Sequence, residues 1–120
     1  MVKEERIKFF CLRFATHFEY SGNMETEDIV ISLTALAQPS RLAVFRLLVQ
    51  AGEEGMPAGK IAEALEIPPS SLSFHLKELN YAGLIKPKQD GRFIIYSADY
   101  ERMKAVLGYL TENCCNGRSC

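Results

Sequence analysis

The chain's most regular hydrophobic pattern lies in residues 68–83. Leu72, Leu76 and Leu79 recur there at helical spacing, and Gly83 follows them. This stripe predicts an amphipathic helix that ends at the glycine. The preceding Pro-Pro-Ser-Ser run predicts its start, because proline is tolerated in a first turn and a serine hydroxyl can accept an orphan backbone N–H. The other face carries side chains that can reach base edges and phosphates: Ser71, Ser73, His75, Lys77 and Asn80.

Two short apolar stretches follow this helix, at residues 84–88 and 92–96. They are separated by Asp90-Gly91, which is typical of a hairpin turn, and they predict two antiparallel strands. The hairpin is locally basic through Lys86, Lys88 and Arg92. A polar-faced helix followed at once by a basic hairpin predicts the recognition helix and wing of a winged helix-turn-helix. The predicted fold class is therefore mainly α with a small β-hairpin (α+β).

Helical spacing predicts four further helices around this unit. They cover residues 26–37, 41–51, 57–65 and 99–113, and the third serves as the positioning helix before the recognition helix. Within them, Ile29, Leu33 and Leu36 form one predicted apolar face, and Leu42 is expected to point inward. Residues 1–23 form an N-terminal extension whose apolar positions also have helical spacing. The predicted division is residues 1–23, a winged helix-turn-helix domain at 24–113, and a cysteine-containing tail at 114–120.

Composition narrows the class of protein. The chain has 120 residues and a net charge of −1, so affinity for nucleic acid has to come from a local basic patch. No apolar run approaches the ~20 residues that a membrane-spanning helix needs, and the N-terminus lacks the pattern of a signal peptide. We therefore expect a cytosolic protein without a membrane partner. In that compartment its four cysteines favour ligands or sensors over a disulfide framework.

Three segments resemble the ArsR/SmtB family of metalloregulatory repressors. Residues 36–42 read LAQPSRL and resemble the family's helix junction. Residues 71–79 and 82–85 read SLSFHLKEL and AGLI, which is similar to its S-x-H-L recognition helix. Residues 91–96 read GRFIIY and resemble its wing. The similarity covers roughly residues 25–113 and is most specific in the S-x-H-L, AGL and Tyr positions.

The resemblance implies a homodimer paired through its first and last helices. Such a dimer binds an inverted-repeat operator in double-stranded DNA and is released by an inducer. By matched position, Ser71, Ser73, His75 and Lys77 face the major groove, and Lys88 and Arg92 of the wing meet the backbone or minor groove. The predicted DNA-contacting set also contains Gln38, Ser40, Arg41, Ser70, Asn80 and Lys86.

Inducer sites of the family lie in different places, and two of them lack their ligands here. The positioning helix has no cysteine, which excludes one arsenic-sensing arrangement. The last helix offers Asp99, Glu101 and Glu112 but no histidine, so a zinc site there is poorly supported. Cysteines instead cluster in the tail, at Cys114, Cys115 and Cys120, and some arsenic-responsive members have a similar tail.

The tail predicts a site for a soft, three-coordinate ion. Asn116-Gly117 favours a turn that brings Cys120 towards Cys114 and Cys115. Three thiolates without a fourth ligand suit As(III) or Sb(III) better than tetrahedral zinc. If Cys120 is dispensable, the remaining pair suits methylarsenite. The predicted cofactor set is thus an inducer only, with no prosthetic group.

Three alternatives stay open at this point. The vicinal cysteines could form a redox switch instead of an arsenic site, or another metal could act as inducer. The winged fold could also serve as an interaction module that does not bind DNA. An enzyme is not expected, because His75 has no nucleophile partner at a recognisable spacing. The roles of residues 1–23 and of Cys11 are not indicated by the sequence.

Overall fold

A computed structural model describes residues 24–119 of the chain. The predictions for residues 1–23 and for Cys120 lie outside this range. Five α-helices, three strands and a final 3-10 turn follow one another within it. They are α1 (Thr26–Leu36), α2 (Pro39–Ala51), β1 (Met56–Pro57), α3 (Ala58–Leu65), α4 (Pro69–Tyr81), β2 (Ile85–Asp90), β3 (Phe93–Ala98), α5 (Tyr100–Thr111) and the 3-10 turn (Cys114–Gly117).

The core lies where α2, α3 and α4 meet the base of the sheet. Residues from every one of these elements reach it, which joins the helices and the wing into one hydrophobic cluster. Full burial of such aliphatic side chains contributes about 1.5–3 kcal/mol each. The largest fully buried side chains are Val44, Leu48, Ile61, Leu72, Leu79, Leu84 and Ile85.

The predicted recognition helix is confirmed as α4, and its end explains the AGL motif. Gly83 has a φ of +78°, a left-handed conformation that glycine adopts without steric cost. The N–H of Leu84 donates to the carbonyl of Leu79, and the N–H of Gly83 donates to that of Asn80. This double closure is a Schellman motif, which satisfies carbonyls at the helix end and turns the chain directly into β2.

The predicted hairpin is confirmed, but the sheet has a third strand that the sequence did not indicate. The strand order is β1-β3-β2, and both pairings are antiparallel. Met56 pairs with Tyr96 and Pro57 with Ile95, although residue 57 was expected to start a helix. A strand of two residues is too short to show a period-2 pattern, which is why it is not visible in the sequence.

The bounds of α2 also differ from the prediction. The helix begins at Pro39, two residues earlier than expected, with Gln38 as its N-cap. Proline suits this first position because its missing N–H has no helical partner there. Leu42 was expected to point inward and is 43% exposed, whereas Val44, Phe45 and Leu48 are buried. Leu42 lies in the first turn of α2, three residues after the exposed Pro39 and before the first buried residue of the helix, Val44.

Helices α1 and α5 contact each other. A hydrogen bond of 2.6 Å joins the hydroxyls of Thr26 and Tyr109 across the pair. Leu33 was expected to share the buried face of Ile29, but it is exposed, and Ser32 and Ala35 are buried instead. The exposed apolar side chains of this pair fit the homodimer interface expected from the resemblance. They are Val30, Ile31, Leu33, Leu107 and Leu110.

Among the described residues, no single helix is both long and apolar enough to cross a membrane. Helices α1 and α2 are together long and apolar enough, but the chain bends by 102° between them.

The surroundings of Gly55 predict how much an alanine there would destabilise the fold, and Gly91 is the matched control. Their φ angles are +69° and +68°, so alanine at either position carries the left-handed cost of about 1–2 kcal/mol. Only at Gly55 would the added methyl group collide with a backbone atom, the carbonyl oxygen of Tyr96. We expect Gly55→Ala to lower the free energy of unfolding by about 1–3 kcal/mol more than Gly91→Ala. Urea denaturation of both variants measures this difference, and equal losses would contradict the described β1–β3 contact.

Candidate nucleic-acid interface and cysteine tail

Helices α3 and α4 form the helix-turn-helix unit. Helix α3 ends at Leu65, and Glu66 adopts a left-handed φ of 53° that turns the chain. The N–H of Ile67 donates to the carbonyl of Ala62 over 3.1 Å and closes the end of the helix. Helix α4 then starts at Pro69, so three residues connect the two helices. A connection this short fixes the angle at which α4 is presented to a partner.

The rotation of α4 about its axis is set by its buried leucines. Leu72, Leu76 and Leu79 are each at most 4% exposed, so the opposite side of the helix faces solvent. Most of the predicted DNA-contacting residues of this helix lie on its exposed surface. These are Ser70, Ser71, Ser73, Lys77 and Asn80.

His75 is placed differently from the other predicted contacts. It is only half exposed, and its Nδ1 atom is buried without a hydrogen-bond partner among residues 24–119. Burial, and secondarily the positive charge of Arg41, lower the pKa of His75 from its ordinary value. A neutral imidazole at the edge of the helix is therefore favoured over a charged one. Its contact with DNA stays a prediction.

The start of α2 contributes three more predicted contacts, Gln38, Ser40 and Arg41. The side-chain oxygen of Gln38 accepts the backbone N–H of Arg41 over 2.8 Å, which caps the helix. The Nε–H of Arg41 donates to the carbonyl oxygen of Ala35 over 2.8 Å. Gln38 and Arg41 thus hold the junction between α1 and α2, and Ser40 is half-buried. Their structural role is established by these bonds, while their contact with DNA stays a prediction.

The wing presents the basic side chains that the sequence predicted. Lys86, Lys88 and Arg92 are all exposed. Lys86 pairs with Ser97 and Lys88 with Ile95, so the two lysines lie two residues apart on the same face of the hairpin. The Nε2–H of Gln89 donates to the carbonyl oxygen of Gly91 over 3.1 Å and braces the turn. The wing therefore presents positive charge to solvent.

Sequence reasoning missed two residues of this region. Phe74 lies on the outward face of α4 and is 54% exposed, whereas the sequence-based prediction assigned it to neither face of the helix. Arg102 of α5 is the second. Its Nη1 donates to the carbonyl oxygen of Ala82 over 3.0 Å and to the hydroxyl of Ser32 over 3.4 Å. The exposure of Phe74 could have been predicted from its helical position relative to the buried leucines. The bonds of Arg102 join distant parts of the chain, and no local sequence pattern indicates them.

The cysteine tail turns sharply after α5. Asn113, Cys115 and Asn116 all have φ angles of 55–56°, in the left-handed region. The N–H of Arg118 donates to the carbonyl of Cys115 over 2.9 Å, across Asn116 and Gly117. The predicted turn at Asn116-Gly117 is thereby confirmed, and the side chains of Cys114 and Cys115 are exposed at its start.

The sulfur atoms of Cys114 and Cys115 lie 3.8 Å apart. Two thiolates that bind one tetrahedral ion at about 2.3 Å are separated by roughly this distance. Cys115 is disulfide-bonded. Among residues 24–119, no group of three His, Cys, Asp or Glu side chains could hold a metal ion. Cys120 lies beyond this range, so the predicted three-thiol site stays a prediction.

Comparisons with known proteins agree on the type of fold. A family model described as a helix-turn-helix domain matches residues 36–87, which include α2, α3 and α4. A homodimeric winged helix-turn-helix DNA-binding domain from Mycobacterium bovis is similar in structure, with a TM-score of 0.59 and 22% identity. It covers 79% of this chain and 88% of its own. The winged helix-turn-helix prediction is confirmed.

Two further proteins are similar in sequence, and for the second of them the similarity covers more than two thirds of its length. The transcriptional repressor SmtB of Mycobacterium tuberculosis is 34% identical over 76 residues, which are 62% of this chain and about half, 54%, of SmtB. A solved structure described as a "Possible transcriptional regulator for arsenical resistance" is 30% identical, with a TM-score of 0.58. The similarity covers 66% of this chain and 79% of that one. This chain belongs to the ArsR/SmtB family. Its members are DNA-binding transcriptional regulators, in agreement with the prediction that it is not an enzyme.

The wing charges make a prediction for this ArsR/SmtB regulator. Replacing a lysine that neutralises a phosphate removes about one released counterion. We expect Lys88→Gln and Arg92→Gln each to weaken binding to all duplexes alike and to reduce the log–log salt slope by about 1. Lys104→Gln, which removes an exposed charge from α5, is the matched control and should leave the slope unchanged. Fluorescence anisotropy over a range of salt concentrations measures the slopes. Unchanged slopes in both wing variants would exclude the wing from the interface.

His75 makes a prediction about pH. Its pKa is lowered in the folded state, so the unfolded chain binds the proton more readily. The free energy of unfolding should fall as the pH drops below about 6.5, the ordinary histidine value, towards the lower pKa of the folded protein. His75→Gln should flatten this part of the curve without affecting it above neutral pH. Urea denaturation between pH 5 and pH 8 compares the two proteins, and parallel curves would refute the assignment.

Proposed function

We propose that this regulator represses an arsenic-resistance operon and leaves its operator when trivalent arsenic binds the C-terminal cysteines. The supporting observation is the pair of sulfur atoms 3.8 Å apart at the end of α5. A spacing of this size suits two thiolates on one ion. The arsenical-resistance regulator of similar sequence and fold is consistent with this choice of inducer.

The chemistry of the site is a ligand exchange without oxidation or reduction. Arsenous acid, As(OH)3, reacts with the thiols of Cys114, Cys115 and Cys120. Three As–S bonds form, three As–O bonds break, and three water molecules leave. Antimonous acid can react in the same way. A methylarsenite carries only two exchangeable oxygens and needs only Cys114 and Cys115. Because Cys115 is disulfide-bonded, that bond must be reduced before arsenic can bind.

The proposed repressor is a homodimer on an inverted-repeat operator. Each subunit inserts α4 into the major groove, and the two half-sites lie about one helical turn apart. The exposed apolar side chains of α1 and α5 pair the subunits, so binding at the end of α5 changes the helix that forms the interface. Couplings of this kind are typically 1–3 kcal/mol, which corresponds to about 5- to 150-fold weaker DNA binding.

The test is a DNA-release experiment with As(III). Duplexes selected from a random library by the wild-type protein serve as the operator. Binding is followed by anisotropy in a phosphine reductant, because thiol reductants compete for arsenic. Wild type should release the duplex on addition of As(III), and Cys114→Ser and Cys115→Ser should resist. Cys11→Ser is the matched control because it removes a cysteine outside the tail, and it should respond like wild type.

Cys120→Ser separates the two forms of the site. Resistance to As(III) supports a three-thiol site, whereas release equal to wild type supports a two-thiol site and an organoarsenical inducer. If no protein in the series responds to As(III), Sb(III) or methylarsenite, the arsenic assignment is refuted.

A redox-switched repressor is the second candidate, because Cys115 is disulfide-bonded. Oxidation to this disulfide would then change the tail and the end of α5 without any metalloid. This candidate predicts that a thiol oxidant such as diamide releases the DNA, that a reductant restores binding, and that Cys115→Ser is insensitive. If oxidised and reduced wild type bind DNA equally, the redox switch is refuted.

A further inference from the structure

We propose that Phe74 recognises the C5-methyl group of a thymine and thereby determines part of the operator sequence. The inference rests on the proposed binding of α4 in the major groove. It adds a residue outside the predicted contact set and assigns it a base.

The rotation of α4 directs Phe74 straight outward. Successive helical residues are about 100° apart, so Phe74 lies about 200° from Leu72, nearly opposite the buried stripe. The observed burial agrees, since Phe74 is 54% exposed while Leu72 is 1% exposed. An aromatic ring in this position is not part of the core.

Phe74 is also separate from the apolar surface expected to pair the subunits. That surface lies on α1 and α5, whereas Phe74 lies on α4 among polar and basic side chains. Its neighbours on the outward face are Ser70 and Lys77, one helical turn before and after it, and Ser73 precedes it. Because the serine side chains are short, the ring of Phe74 extends further from the helix axis than they do. Lys77 beside it adds a charge complementary to phosphate.

The ring is held in place by its neighbour His75. The two ring centroids are 5.8 Å apart and the planes meet at 61°, an edge-to-face contact. Since His75 is half-buried, it links the exposed ring to the body of the helix. A supported side chain loses less rotamer freedom when it enters a groove.

The chemistry of the major groove selects the base. A phenylalanine ring has no hydrogen-bond donor or acceptor, so it cannot replace the water that it displaces from a polar base edge. The only apolar group displayed in the major groove is the C5-methyl group of thymine. Thymine is therefore the base that we expect Phe74 to prefer, because its methyl group makes an apolar contact with the ring and loses no hydrogen bond to water.

Tyr81 provides the matched control. It lies on the same face, seven residues later, and is 79% exposed. Seven residues place it about 10 Å further along the helix axis, towards the end that leaves the groove. An effect of exposed aromatic surface in general would appear in both variants, whereas recognition of a base would appear only at Phe74.

The experiment removes single methyl groups from the DNA. Duplexes selected by wild type from a random library are resynthesised with deoxyuridine in place of each thymidine, at the same position in both half-sites. Affinities are measured by anisotropy at constant salt. Wild type should lose about fourfold in affinity per half-site at one thymine, the effect of removing one buried methyl group. Phe74→Ala should bind more weakly and be indifferent to that substitution, Phe74→Leu should retain part of the loss, and Tyr81→Ala should behave like wild type.

Two results would overturn the inference. Either wild type is indifferent to every thymine-to-uracil change, or Phe74→Ala retains the full loss at the same position. In both cases specific DNA binding itself still stands. If wild type selects no sequence and binds all duplexes alike, the proposed operator binding fails as well, which distinguishes the two failures. Thermal unfolding of each variant verifies that the exposed substitutions leave the fold intact.

Discussion

The burial of three leucines in α4 is the constraint on which the rest of the structure depends. Leu72, Leu76 and Leu79 are each at most 4% exposed, and they pack where α2, α3 and the base of the sheet meet. Removal of one such side chain typically costs about 2–5 kcal/mol. That energy fixes the rotation of the helix, so the same contacts that stabilise the core also decide which side chains face outward. Helix α4 therefore contributes both to the stability of the fold, through its buried face, and to the proposed DNA recognition, through its exposed face.

The C-terminal end of α4 is also fixed by specific contacts. The Schellman motif at Gly83 closes the helix, and the guanidinium of Arg102 donates to the carbonyl oxygen of Ala82, one residue earlier. Glycine suits the positive φ at position 83, and a methyl group there would approach the Arg102 guanidinium to 2.7 Å and displace the end of that side chain. The AGL sequence after the recognition helix therefore serves the contact between α4 and α5.

Most of the fold could be predicted from the sequence because its elements are long enough to show a period. The leucine stripe, the proline at the start of α4 and the turn at Gly91 each have a local physical cause. What escaped prediction depends on distant contacts. Strand β1 exists only because β3 lies beside it, and Leu42 is 43% exposed although its spacing predicts an inward position. The same holds for the site: the exposed serines follow from the helical pattern, whereas the lowered pKa of His75 depends on its burial and on Arg41 of α2, which is distant in the sequence.

Arg102 offers a physical route from the tail to the recognition helix. It lies on α5, which leads to the cysteines, and its Nη1 bonds both to Ser32 of α1 and to the end of α4. A net contribution of about 1.5–3 kcal/mol is usual for a hydrogen bond to a charged group. A coupling free energy of 1–3 kcal/mol is of the same size. A shift of α5 that altered these two bonds would thus be sufficient to change the affinity of α4 for DNA, without any rearrangement of the leucine core.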